Sequence, residues 1–254
     1  MGVLNVTPDS FSDGGLYASI DAAADRAAQM VDEGADLIDV GGESTRPGAE
    51  DVPPDVEIDR TAPVVERIAS LGVPISIDTR KAVVAKAAVD AGAHLVNDVS
   101  AGLHDPAMLP LVADRRVPVV LMHMRGDPRT MDALTEYADV VADVRRELGE
   151  RISAAKHAGV EESNILIDPG LGFAKTPEQS LELLRRIEEL DGFPLVVGPS
   201  RKRFVGRVLD ANVDDRLEGT LAACAWCAAK GVDVVRVHDV RAVRRVVDMI
   251  RAIQ

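Results

Sequence analysis

Eight short and almost uninterrupted apolar runs punctuate the 254-residue chain from end to end, at residues 3–6, 37–40, 74–77, 94–97, 117–122, 165–167, 195–197 and 232–237. Runs this short, apolar at consecutive positions and rich in Val and Ile, are the pattern of parallel strands covered on both faces. Longer stretches with apolar spacings of three and four separate them, as amphipathic helices require. The last is the clearest: Val243, Val246, Val247 and Ile250 make one stripe, and Arg241, Arg244, Arg245 and Arg251 make the opposite, solvated face. Glycine recurs where helix gives way to strand, at Gly34, Gly72, Gly92 and Gly231, the position of a left-handed helix stop.

Strand and helix alternate without a break in composition, which argues for one α/β domain over residues 1–254. Right-handed crossovers would close eight such units into a single (β/α)8, or TIM, barrel with its active site at the C-terminal ends of the strands. A doubly wound open sheet is the alternative arrangement.

Charge narrows the partners. Lys and Arg total 29 against 42 Asp and Glu, a net charge of −13. An acidic surface repels a polyanion over a Debye length of about 8–10 Å, so nucleic acid is an unsuitable partner, whereas a small anionic substrate needs only a few local cations. Arg outnumbers Lys, 23 to 6, as in a high-salt cytoplasm or a GC-rich genome. Cys224 and Cys227 form C-x-x-C inside an Ala-rich helical stretch with no basic neighbour, which reads as small-residue packing rather than a redox pair. No apolar run approaches the ~18 residues of a membrane span. The opening MGVLNV lacks the basic head and long apolar core of a signal peptide. No membrane partner and a cytoplasmic location are the expectation.

Almost every strand-like run ends in a polar residue: Asn5 and Thr7, Asp39, Asp78, Asn97 and Asp98, His123, Asp168, Ser200-Arg201-Lys202, and Arg236 with His238. One such carboxylate after a strand is commonly a turn former or helix cap; eight polar ends converging on one rim make a site. Arg236 and His238 are two apart, so they share a side of their strand and can share an anion. Ser200, Arg201 and Lys202 stand where free helix N–H groups favour negative charge. Asp78, Asn97 and Asp168 suit a flat heterocycle with several N–H donors, or else a carboxylate metal site. His94, His104 and His157 lack metal-cage spacing and read as incidental. Residues 170–175 (GLGFAK) look like a nucleotide loop but lack its third glycine. The Gly-, Pro- and Ser-rich segments 7–16 and 43–54 leave the same rim, as a lid over a substrate would.

Together the motifs GVLNVTPDSFSDGG (2–15), VGGESTRPGA (40–49), IDT (77–79), NDVS (97–100), LMHM (121–124), DPGLGFAK (168–175), SRK (200–202) and RVHDV (236–240) resemble, in order and over essentially the whole chain, the dihydropteroate synthase family. The resemblance implies condensation of p-aminobenzoate with 6-hydroxymethyl-7,8-dihydropterin diphosphate, releasing pyrophosphate and 7,8-dihydropteroate for folate synthesis. It implies that Asp78, Asn97, Asp168 and Lys202 hold the pterin, with Met122 lining its slot. Asn5, Arg236 and His238 would hold the diphosphate, Asn5 also binding Mg2+. Thr45, Arg46, Pro47, Phe173 and Ser200 would shape the p-aminobenzoate pocket, and Phe11 and Asp13 would arrive on the first loop. Asp78, Asp168, Lys202 and Asn5 would carry the catalysis, which the family runs dissociatively. A homodimer is implied too.

Two departures from the family pattern stand out. Pro199 occupies a position in GPSRK where a small or apolar residue other than proline is expected, altering the approach to Ser200. The chain opens directly on its first strand without the family's usual short N-terminal extension, a loss expected to tell on stability more than on chemistry. Two other readings compete: a pterin-dependent methyltransferase domain, which has no need of SRK, RVHDV or STRPG, and a non-catalytic pterin-binding paralogue, which has no need of Lys202 and Arg236 together.

Overall fold

The computed structural model describes residues 1–6, 15–45 and 48–254, with the side chains of 15–19 left aside. Its elements run β1 (Gly2–Asn5), α1 (Gly15–Asp32), β2 (Ile38–Gly41), α2 (Pro54–Ile68), β3 (Ile75–Asp78), α3 (Ala82–Asp90), β4 (Leu95–Asp98), α4 (Met108–Arg115), β5 (Val119–Met122), α5 (Val140–His157), β6 (Ile165–Asp168), α6 (Pro177–Arg185), β7 (Val196–Val197), α7 (Arg203–Leu209), α8 (Leu217–Ala229), β8 (Val234–Val235) and α9 (Val240–Ile253). Each of the eight apolar runs holds a strand. A helix opens after Lys202, as expected, but it ends at Leu209 as the short α7, and a second helix, α8, intervenes before β8.

Strands β1 to β6 pair in parallel in sequence order, and β7 pairs with β8. Two further parallel contacts close the circle: Ile167 beside Leu195 joins β6 to β7, and Gly2 beside Val237 joins β8 to β1. The second seam carries Val3 N–H to the Val237 carbonyl at 2.9 Å and Val237 N–H to the Met1 carbonyl at 2.9 Å. The sheet is a closed (β/α)8 barrel, and the open-sheet alternative is set aside.

Strand parity explains how an apolar barrel acquires a polar mouth. Leu37, Leu95, Val120, Leu166, Val196 and Val234, with Met1, pack as one apolar layer inside the barrel. Two residues further along the same strands, side chains return to the same side. Those positions are Asp39, Asn97, Met122, Asp168, Gly198 and Arg236. The opposite parity, Leu4, Ile38, Val40, Ile75, Ile77, Val96, Val119, Leu121 and Ile165, belongs to the larger core against the helices. That double burial is why the strands read as continuous apolar runs.

The helix stops behave as the glycines foretold: Gly34, Gly72, Gly92 and Gly231 lie at φ of 96°, 76°, 114° and 77°, a region costly for any residue with a Cβ. In α9, Val243 is buried, and Arg244 faces outward to Asp36 and Asp248. Cys224 and Cys227 are fully buried in α8, and burial pushes both thiols up to about 12, which makes them packing residues.

Candidate active site

At the C-terminal mouth, Arg236 is the hub. Its Nε donates to Asp39 Oδ2 at 2.6 Å and its Nη2 to Asp78 Oδ2 at 2.7 Å. Asn97 Nδ2 donates to the same Asp39 oxygen at 3.2 Å. One arginine just after β8 thus joins β2, β3 and, through Asp39, β4. Gly41 completes the arrangement on β2: a Cβ there would lie 3.5 Å from Asp78 Cβ and 3.8 Å from Asn5 Oδ1, so Asn5 and Asp78 flank a position kept bare.

Across the mouth stand Asp168 and Lys202. Asp168 Oδ1 accepts from Gly170 N–H at 2.7 Å, which turns the chain at the end of β6. Lys202 precedes α7, and its ammonium lies 4.4 Å from the centre of the Phe173 ring, a cation–π contact. Phe173 packs on an apolar wall of Met122, Val99, Met124, Met131 and Ala174. The mouth therefore offers a polar half, Asp39–Arg236–Asp78 with Asn97, and an apolar half, Met122 and Phe173, with Lys202 and Asp168 between them.

Electrostatics follow from enclosure. Burial raises Asp78 to about 7 against the opposing pull of Arg236, and burial likewise raises Asp168 against the Gly170 hydrogen bond and Lys202. Burial lowers Lys202 to about 8, with Asp168 pulling the other way. Arg236 remains firmly protonated because Asp39 and Asp78 outweigh its desolvation. Opposed shifts of this kind, gathered in one cleft, mark a candidate functional site.

At the β7–β8 side, Ser200 Oγ lies 3.0 Å from His238 Nδ1 and accepts from His238 N–H at 3.3 Å, so the serine orients the histidine. Arg201, at φ 57°, is tied to Asp239 by Nε and Nη2 and is a structural pair beside the site. Thr45 is half-buried on the segment after β2. Arg46, Pro47, Phe11 and Asp13, and most of the expected first lid segment, lie outside the described residues.

Two polar strand ends turn away from the mouth. Asp98 accepts from Ser100 N–H, Ser100 Oγ–H and Gly102 N–H and is a turn former. His123 points outward to Glu147 of α5 and to Lys175. Conversely Asp39, noted in the sequence only as a strand end, anchors both Arg236 and Asn97; its parity with Leu37 and Gly41 was the available signal. A buried charge cluster beside the mouth has no sequence signature. Lys81 Nζ bonds Glu43 at 2.7 Å and Glu57 at 2.6 Å, while Arg80 Nη2 bonds Glu43 at 3.1 Å and Asp51 at 2.8 Å.

Residues 1–238 match the family of pterin binding enzymes. The chain is 47% identical to the dihydropteroate synthase of Synechocystis sp. over 250 residues, 97% of this chain and 86% of that protein. The chain belongs to the dihydropteroate synthase family. Two solved structures from Xanthomonas albilineans agree with it along its whole length. The dihydropteroate synthase with 4-aminobenzoic acid superposes with a TM-score of 0.93 at 46% identity, over 100% of this chain and 92% of that one. The dihydropteroate synthase in complex with 7,8-dihydropteroate gives 0.90 at 43%, over 100% and 92%.

Proposed function

We propose that this protein condenses 6-hydroxymethyl-7,8-dihydropterin diphosphate with p-aminobenzoate, giving 7,8-dihydropteroate and pyrophosphate in folate biosynthesis. The observation that carries the reading is the mouth of the barrel: Asp78, Asn97, Asp168 and Lys202 beside Met122, with Arg236 and His238 adjoining. In this reading Asp78, Asn97 and Asp168 take the pterin's N–H groups, and Lys202 donates to its acceptors. Bound N–H donors would favour the ionised form of Asp78, which burial holds near 7 in the ligand-free protein. Asn5, Arg236 and His238 take the diphosphate, with Ser200 fixing the histidine ring. Phe173 and Ser200, with Thr45, Arg46 and Pro47, are assigned to the p-aminobenzoate pocket, to which the family resemblance adds Phe11 and Asp13 of the first loop.

The reaction is a dissociative substitution. The bond between the pterin methylene and the diphosphate oxygen breaks, its electron pair leaving with pyrophosphate. The aniline nitrogen then bonds to the methylene carbon and gives up a proton. Asp78 and Asp168 stabilise the positive charge spread through the pterin, and Arg236 and His238 face the charge that develops on pyrophosphate. The wall of Met122 and Phe173 excludes water from the cationic carbon.

Mg2+ fits this mouth in one way. Among the described residues no group of three or more His, Cys, Asp or Glu could cage a metal. Asn5 Oδ1 supplies one hard oxygen beside Gly41, enough for an ion that keeps its waters and rides on substrate phosphates. When bound, Mg2+ would supply neutralising charge to the diphosphate.

The protein acts as one pterin-binding barrel over residues 1–254, in the cytoplasm, and as a homodimer. No helix among the described residues is long and apolar enough to cross a membrane. An apolar groove of about 400 Å3 between α6, α7 and α8, lined by Leu181, Phe204, Val208, Leu209, Ala222 and Trp226, supports self-association. Light scattering is expected to give twice the chain mass, and Val208→Glu half of that. The deciding experiment incubates the protein with the pterin diphosphate, p-aminobenzoate and Mg2+. Dihydropteroate is expected, and its absence at both low and high salt would refute the enzyme.

A further inference from the structure

The segment between β6 and α6 reaches Phe173 by a strained route. Gly170 lies at φ 67°, and a Cβ there would sit 2.0 Å from the His123 carbonyl oxygen. Ala174, next to Phe173, lies at φ 51°, a left-handed conformation that persists only where the surroundings impose it. Two side chains impose it here. Tyr137 donates its hydroxyl to the Ala174 carbonyl at 2.9 Å. Lys175 folds back so that Nζ donates to the Phe173 carbonyl at 2.8 Å, lies 2.8 Å from His123 Nδ1 and reaches the His123 carbonyl at 3.4 Å.

Lys175 is 2% exposed and has no carboxylate within ion-pair distance among the described residues. Burying an amine against neutral acceptors is unfavourable unless its N–H groups do structural work. Each partner is itself fixed. His123 is held neutral, since burial and then Lys175 lower it to about 3, so its Nε2–H serves Glu147 at 2.9 Å and leaves Nδ1 as acceptor. Glu147 is held in turn by Arg125, which stacks 3.8 Å over Tyr137. The chain of contacts from α5 therefore ends on the backbone of the residue whose ring meets Lys202.

We propose that Lys175 is a positioning residue: by tying the Phe173 carbonyl to the His123 ring, it sets the pose of the Phe173 side chain against Lys202 and so shapes the p-aminobenzoate side of the mouth. The inference deepens the proposed function and rests on it for its substrate. Its geometry is independent of the charge on Nζ, because a neutral amine still has two N–H donors for these two acceptors. Burial does bring Lys175 down to about 7.

The test is Lys175→Met, which keeps the bulk and removes the donors. The chain has four phenylalanines, Phe11, Phe173, Phe193 and Phe204. Protein labelled with 4-fluorophenylalanine therefore gives a simple fluorine spectrum, in which Phe173→Leu assigns the residue 173 signal. Lys175→Met is expected to shift that signal and leave those of Phe193 and Phe204 in place. In turnover, the KM for p-aminobenzoate is expected to rise at least about tenfold, with the KM for the pterin diphosphate within about twofold of wild type. Because Lys175 acts through Phe173, the double variant Lys175→Met/Phe173→Leu is expected to be no worse than Phe173→Leu alone.

An unmoved residue 173 signal, an equal rise in both KM values, or additive losses in the double variant would each overturn the proposal. Should Lys175→Met not fold, Lys175→Gln carries the same readouts. Its amide also has two N–H donors, but its stem is one atom shorter than that of lysine and does not bring them to both the Phe173 carbonyl and the His123 ring, so a displaced signal supports the proposal and an unmoved one overturns it. A wild-type protein that made no dihydropteroate would refute the substrate reading, while the fluorine measurement would still judge the role of Lys175 in placing Phe173.

Discussion

Replacing Lys81 by Met tests how much the buried charge cluster beside β3 contributes to stability. Lys81, Glu43 and Glu57 are 7%, 8% and 0% exposed, and the lysine sits between the two carboxylates at 2.7 and 2.6 Å. Among the described residues, removing it leaves Glu57 with no cation and Glu43 with Arg80 alone. Breaking a buried pair on one side costs about 3–5 kcal/mol, because the surviving charge stays desolvated. A domain of this size loses about 2–4 °C in Tm per kcal/mol, so calorimetry is expected to show a fall of about 6–20 °C. The control is Lys86→Met, which breaks the exposed pair with Asp90 at 2.7 Å; it is expected to lower Tm by about 2 °C at most. Adding Glu57→Gln to Lys81→Met removes the orphaned charge and is expected to recover most of the loss. If Lys81→Met fell no further than Lys86→Met, or if the double variant were as unstable as the single, an unpaired buried charge would not be the cause.

Other outcomes follow from the mouth and its supports. Asp78 is raised to about 7 by burial in the folded protein, so between pH 4 and 7 the native state binds more protons than the unfolded one and stability falls as pH rises. The stability of Asp78→Asn relative to wild type is therefore expected to increase over that window; a difference independent of pH would refute this. Lys202→Ala is expected to lower kcat/KM at least about a hundredfold while thermal unfolding stays cooperative, and an unchanged kcat/KM would remove Lys202 from the site. Gly170→Ala forces a Cβ onto the His123 carbonyl and is expected to destabilise by more than about 3 kcal/mol in urea unfolding. Cys224 and Cys227 are expected to react with a thiol reagent no faster than the protein unfolds, and prompt labelling of the native state would contradict their burial.

The barrel was legible because parallel strands buried on both faces leave an unmistakable apolar run, and because four of the helix-to-strand turns carry a glycine at positive φ, Gly34, Gly72, Gly92 and Gly231. The polar mouth was legible from strand ends, yet position alone could not separate Asp78 and Asn97, which face inward, from Asp98 and His123, which face the helices. Parity separates them, and parity needs the register of neighbouring strands. Asp39 illustrates the limit: it lies one layer deeper than Asp78 on the adjoining strand, and only the closed barrel brings Arg236 across to it. The Lys81–Glu57 and Lys175–His123 contacts join residues 24 and 52 positions apart. No local pattern announces such pairs. The helix start after Lys202 was legible, but its division into Arg203–Leu209 and Leu217–Ala229 was not, because two helices between β7 and β8 depart from the one-helix-per-strand alternation of the other units.

Arg236 has a consequence for how this protein can change under selection. It stands next to the β8–β1 junction and neutralises two enclosed carboxylates on strands that sequence separates from it by 197 and 158 positions. An inhibitor that leaned on its guanidinium would press on a side chain with almost no permissible substitutes. Lysine would lose the fork that serves Asp39 and Asp78 together, and a neutral residue would strand both acids inside the barrel. Resistance through position 236 would thus demand compensating changes at residues 39 and 78 as well. Escape by single steps is more accessible at the outer side chains of the mouth, which brace no seam.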